Sequence, residues 1–201
     1  MNTYSHILMG RFLCRYVEKH FDIQLDRGSF ILGNVLPDYS PSFLLRPHFV
    51  KNNIMHIQKT IRLLTRQNAS AYNSKRNSRL LGILCHFYAD SLCYAHNDGF
   101  TGGLSGHIQY EKRQYGYFME HLRQINSFRF VVQKAFDKET GGLYRRFEKL
   151  HASYLLTRPS FANDLSYTIM ACIEAIVLAC GCAAAERTER TSHSLNRLQA
   201  V

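Results

Sequence analysis

Apolar positions recur along this chain at helical spacing. Over residues 4–20, Ile7, Leu8, Phe12, Leu13, Tyr16 and Val17 form one stripe with Arg11, Arg15, Glu18 and Lys19 opposite, and a 3.6-residue period predicts an amphipathic helix. Thr3 and Ser5 are acceptable caps ahead of it, with His6 in the first turn. A second helix is expected over 51–67, with Ile54, Ile57, Ile61 and Leu64 inward and Lys59, Arg62 and Arg66 outward. The Asn- and Ser-rich stretch 68–78 connects it to a third helix over 80–96. A fourth begins near Gly106 and runs toward Gln124. Helical patterning continues over 128–136, breaks at Thr140-Gly141-Gly142, resumes from Leu143 to Leu156 and stops at Pro159. The last run, from Phe161 to about Ala185, is apolar nearly all round, as a central bundle helix is.

No alternating strand pattern of useful length interrupts these helices. The expected fold is an all-α, single-domain helical bundle of roughly seven to nine helices. Residues 1–186 form that domain, and 187–201 read as a polar C-terminal tail. Between the first two helices, residues 30–49 read as a short buried run with one exposed glycine, Gly33, ending in a turn. Three of the chain's four prolines lie there, and proline restricts both itself and its predecessor, so the turn should be stiff. It carries Asp38 directly after Pro37 and His48 directly after Pro47.

Composition narrows the classes further. A content of 46% hydrophobic and 20% charged residues in 201 is that of a globular domain, not of a disordered chain or a multispanning membrane protein. The last apolar run is interrupted by Glu174 and followed by Gly181, which leaves it short of the roughly 18 to 20 residues a spanning helix needs. No transmembrane segment is expected. The first residues lack the pattern of a signal peptide, so a cytoplasmic location is expected. The six cysteines, Cys14, Cys85, Cys93, Cys172, Cys180 and Cys182, show no paired spacing and read as reduced, buried thiols, with Cys93 placed to be a zinc ligand as well. The formal net charge of +10 favours phosphate-bearing partners, either nucleic acid or an anionic membrane surface.

Candidate chemistry concentrates in residues 86–111. His86-x3-Asp90-x5-His96-x10-His107-x3-Glu111 holds two pairs four residues apart, His86 with Asp90 and His107 with Glu111. That spacing stacks a nitrogen and an oxygen donor on one helical face. A single such pair is commonly a surface hydrogen bond. The first pair, however, sits in the apolar run of Leu80, Leu81, Ile83, Leu84, Phe87, Tyr88 and Leu92, where an ionised Asp90 needs a strong partner such as a divalent cation. Asn97-Asp98-Gly99 and Gly102-Gly103 let the chain leave one helix and enter the next with the two pairs facing, His96 at the end of the first or in the loop. Asp38, taken alone, reads most simply as a turn cap.

Together His6, the Gly-Asn-x-x-Pro-Asp turn of 33–38, His48-Phe49 and the ordered His86, Asp90, His96, His107, Glu111 set resemble the bacterial zinc-dependent phospholipase C family. Single-strand-specific nucleases share that all-helical superfamily. The resemblance spans roughly residues 3–115. It implies a first zinc on His48, His86 and Asp90, a second on His96, His107 and Glu111, and a third shared by Asp90 and His6, hence two or three zinc ions. It casts Asp38 as general base or water-orienting residue, with His56 a rival to His48. Secreted members complete the third site with an N-terminal tryptophan, and this chain has none. The implied activity is phospholipid hydrolysis of the phospholipase C type. One alternative is a single-strand nucleic-acid phosphodiesterase stacking bases on Tyr88, Tyr94 and Phe100. The other is a non-catalytic helical module that zinc merely stabilises.

Overall fold

In the computed structural model, which describes residues 1–39, 50–65, 73–125 and 141–198, the amphipathic stripes become helices. They are α1 (Thr3–Phe21), α2 (Arg27–Val35), α3 (Val50–Thr65), α4 (Lys75–Ser91), α5 (Gly103–Ile125), α6 (Gly141–Leu155) and α7 (Phe161–Leu198). Short 3-10 turns, Leu36–Tyr39 and Tyr94–His96, follow α2 and α4. Among the described residues there is no strand, so the all-α expectation is met. The predicted helix over 128–136 and the pair His48-Phe49 lie outside the described residues.

Side-chain caps explain several boundaries that periodicity alone leaves loose. The Ser5 backbone N–H donates to Asn2 Oδ1 at 2.8 Å and starts α1, and the Ser29 N–H donates to Asp26 Oδ1 at 2.8 Å and starts α2. Asp22, in the left-handed region at φ 56°, closes α1. Asn77 N–H donates to the Ser74 hydroxyl at 3.3 Å, so α4 begins at Lys75, inside the stretch expected to be a connection. It ends at Ser91, and His96 falls in the separate 3-10 turn.

The centre of the fold is α4, packed against α2, α3 and α7. Leu81, Leu84, Cys85, Phe87 and Tyr88 bury there with Phe30, Ile57, Ile61, Ile169, Cys172, Ile173 and Ile176. Gly33 is buried, contrary to its expected exposure, and it faces Gly82 across the α2–α4 crossing. A Cβ on Gly33 would overlap the Arg79 carbonyl oxygen, and one on Gly82 would overlap the Phe30 carbonyl oxygen. The backbones can therefore touch only because both residues lack side chains. That contact sets the site, since it brings the end of α2 and the turn bearing Asp38 against the last turns of α4.

Two expectations for α7 change. Phe161–Cys180 is long and apolar enough to cross a membrane by length and composition, with mean hydropathy 1.4, so the length argument against a span does not hold. What marks it as a core helix is packing, because the face bearing Leu165, Ile169, Cys172, Ile173 and Ile176 is buried in the bundle. The helix also continues beyond Glu186 to Leu198. No proline follows Pro159 to stop it, and Ala183, Ala184 and Ala185 are strong helix formers.

Candidate metal centre

Each turn of α4 near its C-terminus points a polar side chain at the same place. His86 and Asp90, one turn apart, are both buried, with His86 Nε2 3.3 Å from Asp90 Oδ2. The His86 Nδ1–H donates to the Asn34 carbonyl at the end of α2, 2.8 Å away. A carbonyl can only accept, so in the neutral ring Nε2 carries the lone pair and faces the cluster, the arrangement usual for a ligating histidine. From α1, His6 stacks its ring on His86 with centroids 4.0 Å apart and sets Nε2 3.1 Å from Asp90 Oδ1. The 3-10 turn after α2 sends Asp38 Oδ1 to 3.8 Å from His86 Nε2, while Asp38 Oδ2 accepts from the Thr3 hydroxyl at 2.9 Å.

A second group faces the first across Asp90. His96 Nε2 lies 2.9 Å and His107 Nε2 3.0 Å from the same Glu111 oxygen, Oε1. His96 Nδ1 is 4.0 Å from Asp90 Oδ2. One donor atom from each of His6, Asp38 and His86, and one from each of His96, His107 and Glu111, fall within 4.8 Å of one another in their respective groups. Both groups border one cleft of about 670 Å³, whose walls include Asp38, Asp90, His96, Phe100, Leu104, His107 and Glu111.

The α-amine of Met1 is a further participant, at the N-terminal position the resemblance gave to a tryptophan. It is buried, 2.6 Å from Asp90 Oδ1, 2.7 Å from His96 Nε2 and 3.2 Å from Glu111 Oε1. Burial works against its charge, but Asp90, Cys93 and Glu111 outweigh burial and hold its pKa well above the usual value. The same attraction acts in reverse. Although burial alone would raise Asp90, the Met1 ammonium and the imidazoles of His96, His86 and His6 hold it well below the ordinary carboxylate range. Glu111 is likewise lowered despite its burial, by the Met1 ammonium and by His107 and His96. His6 falls to about 4, through burial and then the neighbouring His86, against the pull of Asp90. His86 is raised, because Asp90 overcomes its burial.

Zinc fits this donor set. Imidazole nitrogens and carboxylate oxygens at 2.0–2.2 Å around a tetrahedral ion stand about 3.3 to 3.5 Å from each other. The neighbouring donors here are 2.9, 3.0, 3.3 and 3.8 Å apart. Such a mixture of borderline nitrogen and hard oxygen suits zinc.

The remaining candidates divide. Cys93 is buried, its sulfur accepts from Gln114 Nε2 at 3.3 Å, burial pushes its thiol up to about 12, and it belongs to neither donor group. His56 stacks on Phe87 with centroids 5.3 Å apart. Of the three aromatics expected to stack bases, Tyr88 is buried against Phe147, with centroids 4.1 Å apart, and is unreachable from the cleft. Tyr94 packs edge-on to Phe100 and donates its hydroxyl to the Gly99 carbonyl, and only Phe100 lines the cleft. Asp164, unremarked in the sequence, stands behind the second group. Its carboxylate accepts from Tyr154 and Tyr110 hydroxyls at 2.8 Å, from Gln114 Nε2 at 2.6 Å and from the Tyr94 N–H at 3.5 Å. It thereby ties α7 to the turn bearing His96 and to the turns of α5 bearing Glu111. An aspartate opening an apolar helix was the available clue, since a buried carboxylate must find donors.

The family model described as zinc dependent phospholipase C matches residues 5–161, a span that takes in both donor groups except for the Met1 amine. No curated protein matches the chain, and no solved structure does.

Proposed function

The chain belongs to the zinc-dependent phospholipase C family, and on that footing we propose that it is a zinc-dependent phosphodiester hydrolase acting on a phospholipid. The observation that carries this reading is the presence of two ligand groups on one open cleft with the buried Asp90 between them. Zinc bound there supplies Lewis acidity toward a phosphoryl oxygen and a water whose pKa drops to about 7.

The chain's own groups do the rest. His6, Asp38 and His86 would hold one side of the cluster and His96, His107 and Glu111 the other, with Asp90 between them, its Oδ1 toward His6 and its Oδ2 toward both His86 and His96. The Asn34 carbonyl fixes the tautomer of His86, and the Thr3 hydroxyl fixes the rotamer of Asp38. Asp38, with Oδ1 3.8 Å from His86 Nε2, is placed both to be a ligand and to take the general-base role the resemblance implied. Phe100 and Leu104 offer apolar wall beside the cluster, suited to the glycerol side of a lipid. A single-stranded nucleic acid would need stacking platforms, and of three candidates only Phe100 faces the cleft.

The test is hydrolysis by protein stripped of metal and reloaded with zinc, using short-chain phosphatidylcholine and single-stranded DNA side by side. Faster turnover of the lipid, with zinc content reduced in His86→Ala, supports the proposal. Preference for DNA replaces the substrate. Inactivity on both, in a protein that melts when chelated, leaves zinc as a purely structural element. Asp38→Asn separates its two roles, because loss of zinc marks a ligand and retention of zinc without turnover marks a base.

A further inference from the structure

Helix α5 carries two apolar faces, and among the described residues one is buried and the other exposed. Phe118 and Leu122 are buried with Gln114 on the inner side. Leu104, Ile108, Tyr115 and Met119 recur at intervals of four, seven and four residues, which is one helical stripe. Of these Leu104 is 79% exposed, Ile108 60% and Met119 52%. Tyr4 of α1, 70% exposed, joins the stripe through its ring contact with Tyr115, centroids 6.2 Å apart. The patch starts at the lip of the metal cleft, which Leu104 lines, and the Asn2 side chain, donating to the Glu111 carbonyl, closes the seam between the two helices there.

Cations border it. Arg11 and Arg15 lie two and three turns beyond Tyr4 on the same face of α1, and Lys112 lies one turn beyond Ile108, all three exposed. A patch of large apolar side chains edged by cations whose stems can lie along it is what an anionic lipid surface accepts, the apolar groups entering the headgroup boundary and the cations meeting phosphate. We infer that the face formed by Tyr4, Ile108 and Met119, with Arg11, Arg15 and Lys112, docks on an anionic phospholipid bilayer and brings the cleft to the membrane surface. The inference names the surface from which the proposed substrate is drawn and therefore rests on that functional reading, but binding can be measured without hydrolysis.

The experiment uses the zinc-loaded full chain with vesicles of phosphatidylcholine containing phosphatidylglycerol, scored by co-sedimentation, beside turnover of a monomeric short-chain phosphatidylcholine. Ile108→Ser/Met119→Ser should lower the vesicle-bound fraction about tenfold, in line with the apolar area removed, and lower vesicle hydrolysis in proportion. Zinc content, helical circular dichroism and monomer turnover should stay at wild-type level. Arg11→Glu/Arg15→Glu should abolish the preference for vesicles containing phosphatidylglycerol. Equal sedimentation of wild type and Ile108→Ser/Met119→Ser overturns the inference, as does a wild type that does not sediment. Capture of single-stranded DNA that competes with vesicles and depends on Arg11 and Arg15 but not on Ile108 and Met119 also overturns it, in favour of nucleic acid. Vesicle binding lost in the variants while no phosphodiester is cleaved upholds the surface and sinks the hydrolase.

Discussion

The two halves of the candidate centre use the same donor chemistry on very different supports. His6 and His86 are buried completely, His86 on a helix locked to α2 by the Gly33–Gly82 contact, with its ring orientation set by the Asn34 carbonyl. His107 is 30% exposed at the lip, on the first turns of α5, and its partner His96 sits in a single 3-10 turn. The deep half is thus held by backbone packing. The shallow half is held by side chains, above all by Asp164 reaching from α7. If zinc binds as proposed, the difference would assign tasks: a more buried half that retains its metal, and a half reaching the lip that exchanges it more readily.

The severest way to break the contrast is to remove what both halves share. Asp90→Ala leaves the Met1 ammonium, His6 and His86 without their common carboxylate, and stranding a buried charge costs about 3–5 kcal/mol. Metal analysis should show the zinc of both halves reduced, and turnover should fall on the order of a thousandfold or more. Gly82→Ala comes next. It touches no ligand, yet its Cβ would overlap the Phe30 carbonyl, and overpacking of this kind costs about 1–3 kcal/mol or more. Thermal melting should drop by several degrees, and zinc retention should weaken in the deep half before the shallow one.

His107→Ala tests the shallow half alone. One zinc should be lost, chelator competition should leave the remaining metal as tightly bound as in wild type, and kcat/KM should fall roughly a hundredfold. Equal weakening of all bound metal would mean that the halves are not separate. Asp164→Asn is gentler, since an amide still accepts some of the hydrogen bonds from Tyr110, Tyr154 and Gln114. Outer partners of this sort usually contribute ten- to a hundredfold to metal affinity. The loss should fall on the shallow half, and Asp164→Ala should exceed it.

How much of this was legible beforehand follows the same division. The i,i+4 pairs His86/Asp90 and His107/Glu111 were readable because helical spacing places both members on one face whatever the tertiary fold. The helical class was readable for a related reason: period-3.6 stripes are local facts. What could not be read were the consequences of two segments meeting. Gly33 looked exposed because nothing within its own segment says that Gly82 will press on it. The Met1 amine has no letter of its own in a sequence, and only the resemblance pointed to an N-terminal residue, there a tryptophan. Tyr88 looked available for stacking until packing against Phe147 claimed it. Asp164 stood seventy residues from the turn it holds, on a helix whose composition suggested only core.

The smallest effect sharpens the comparison through pH, in metal-free protein. His6 has its pKa lowered from an unfolded value of 6.5 to about 4 by burial and by His86, against Asp90. Between those values the unfolded chain binds a proton that the folded chain refuses, so stability is lost as pH falls through that window. His86 is shifted the other way by Asp90 and is present in both wild type and His6→Gln, so only its coupling to His6 enters their difference. The melting temperature of wild type relative to His6→Gln should therefore decline from pH about 7 to about 4.5, by an amount of a few kcal/mol at most. Glu111, in the shallow half, has a lowered pKa, so its stabilisation is present above its unfolded range near 4.3 and is lost only as pH falls through the depressed value. Wild type relative to Glu111→Gln should accordingly stay level over the same range. A slope in the Glu111 comparison as steep as that for His6 would mean that the two halves titrate as one buried cluster, and that the lip is no more accessible to solvent than the floor.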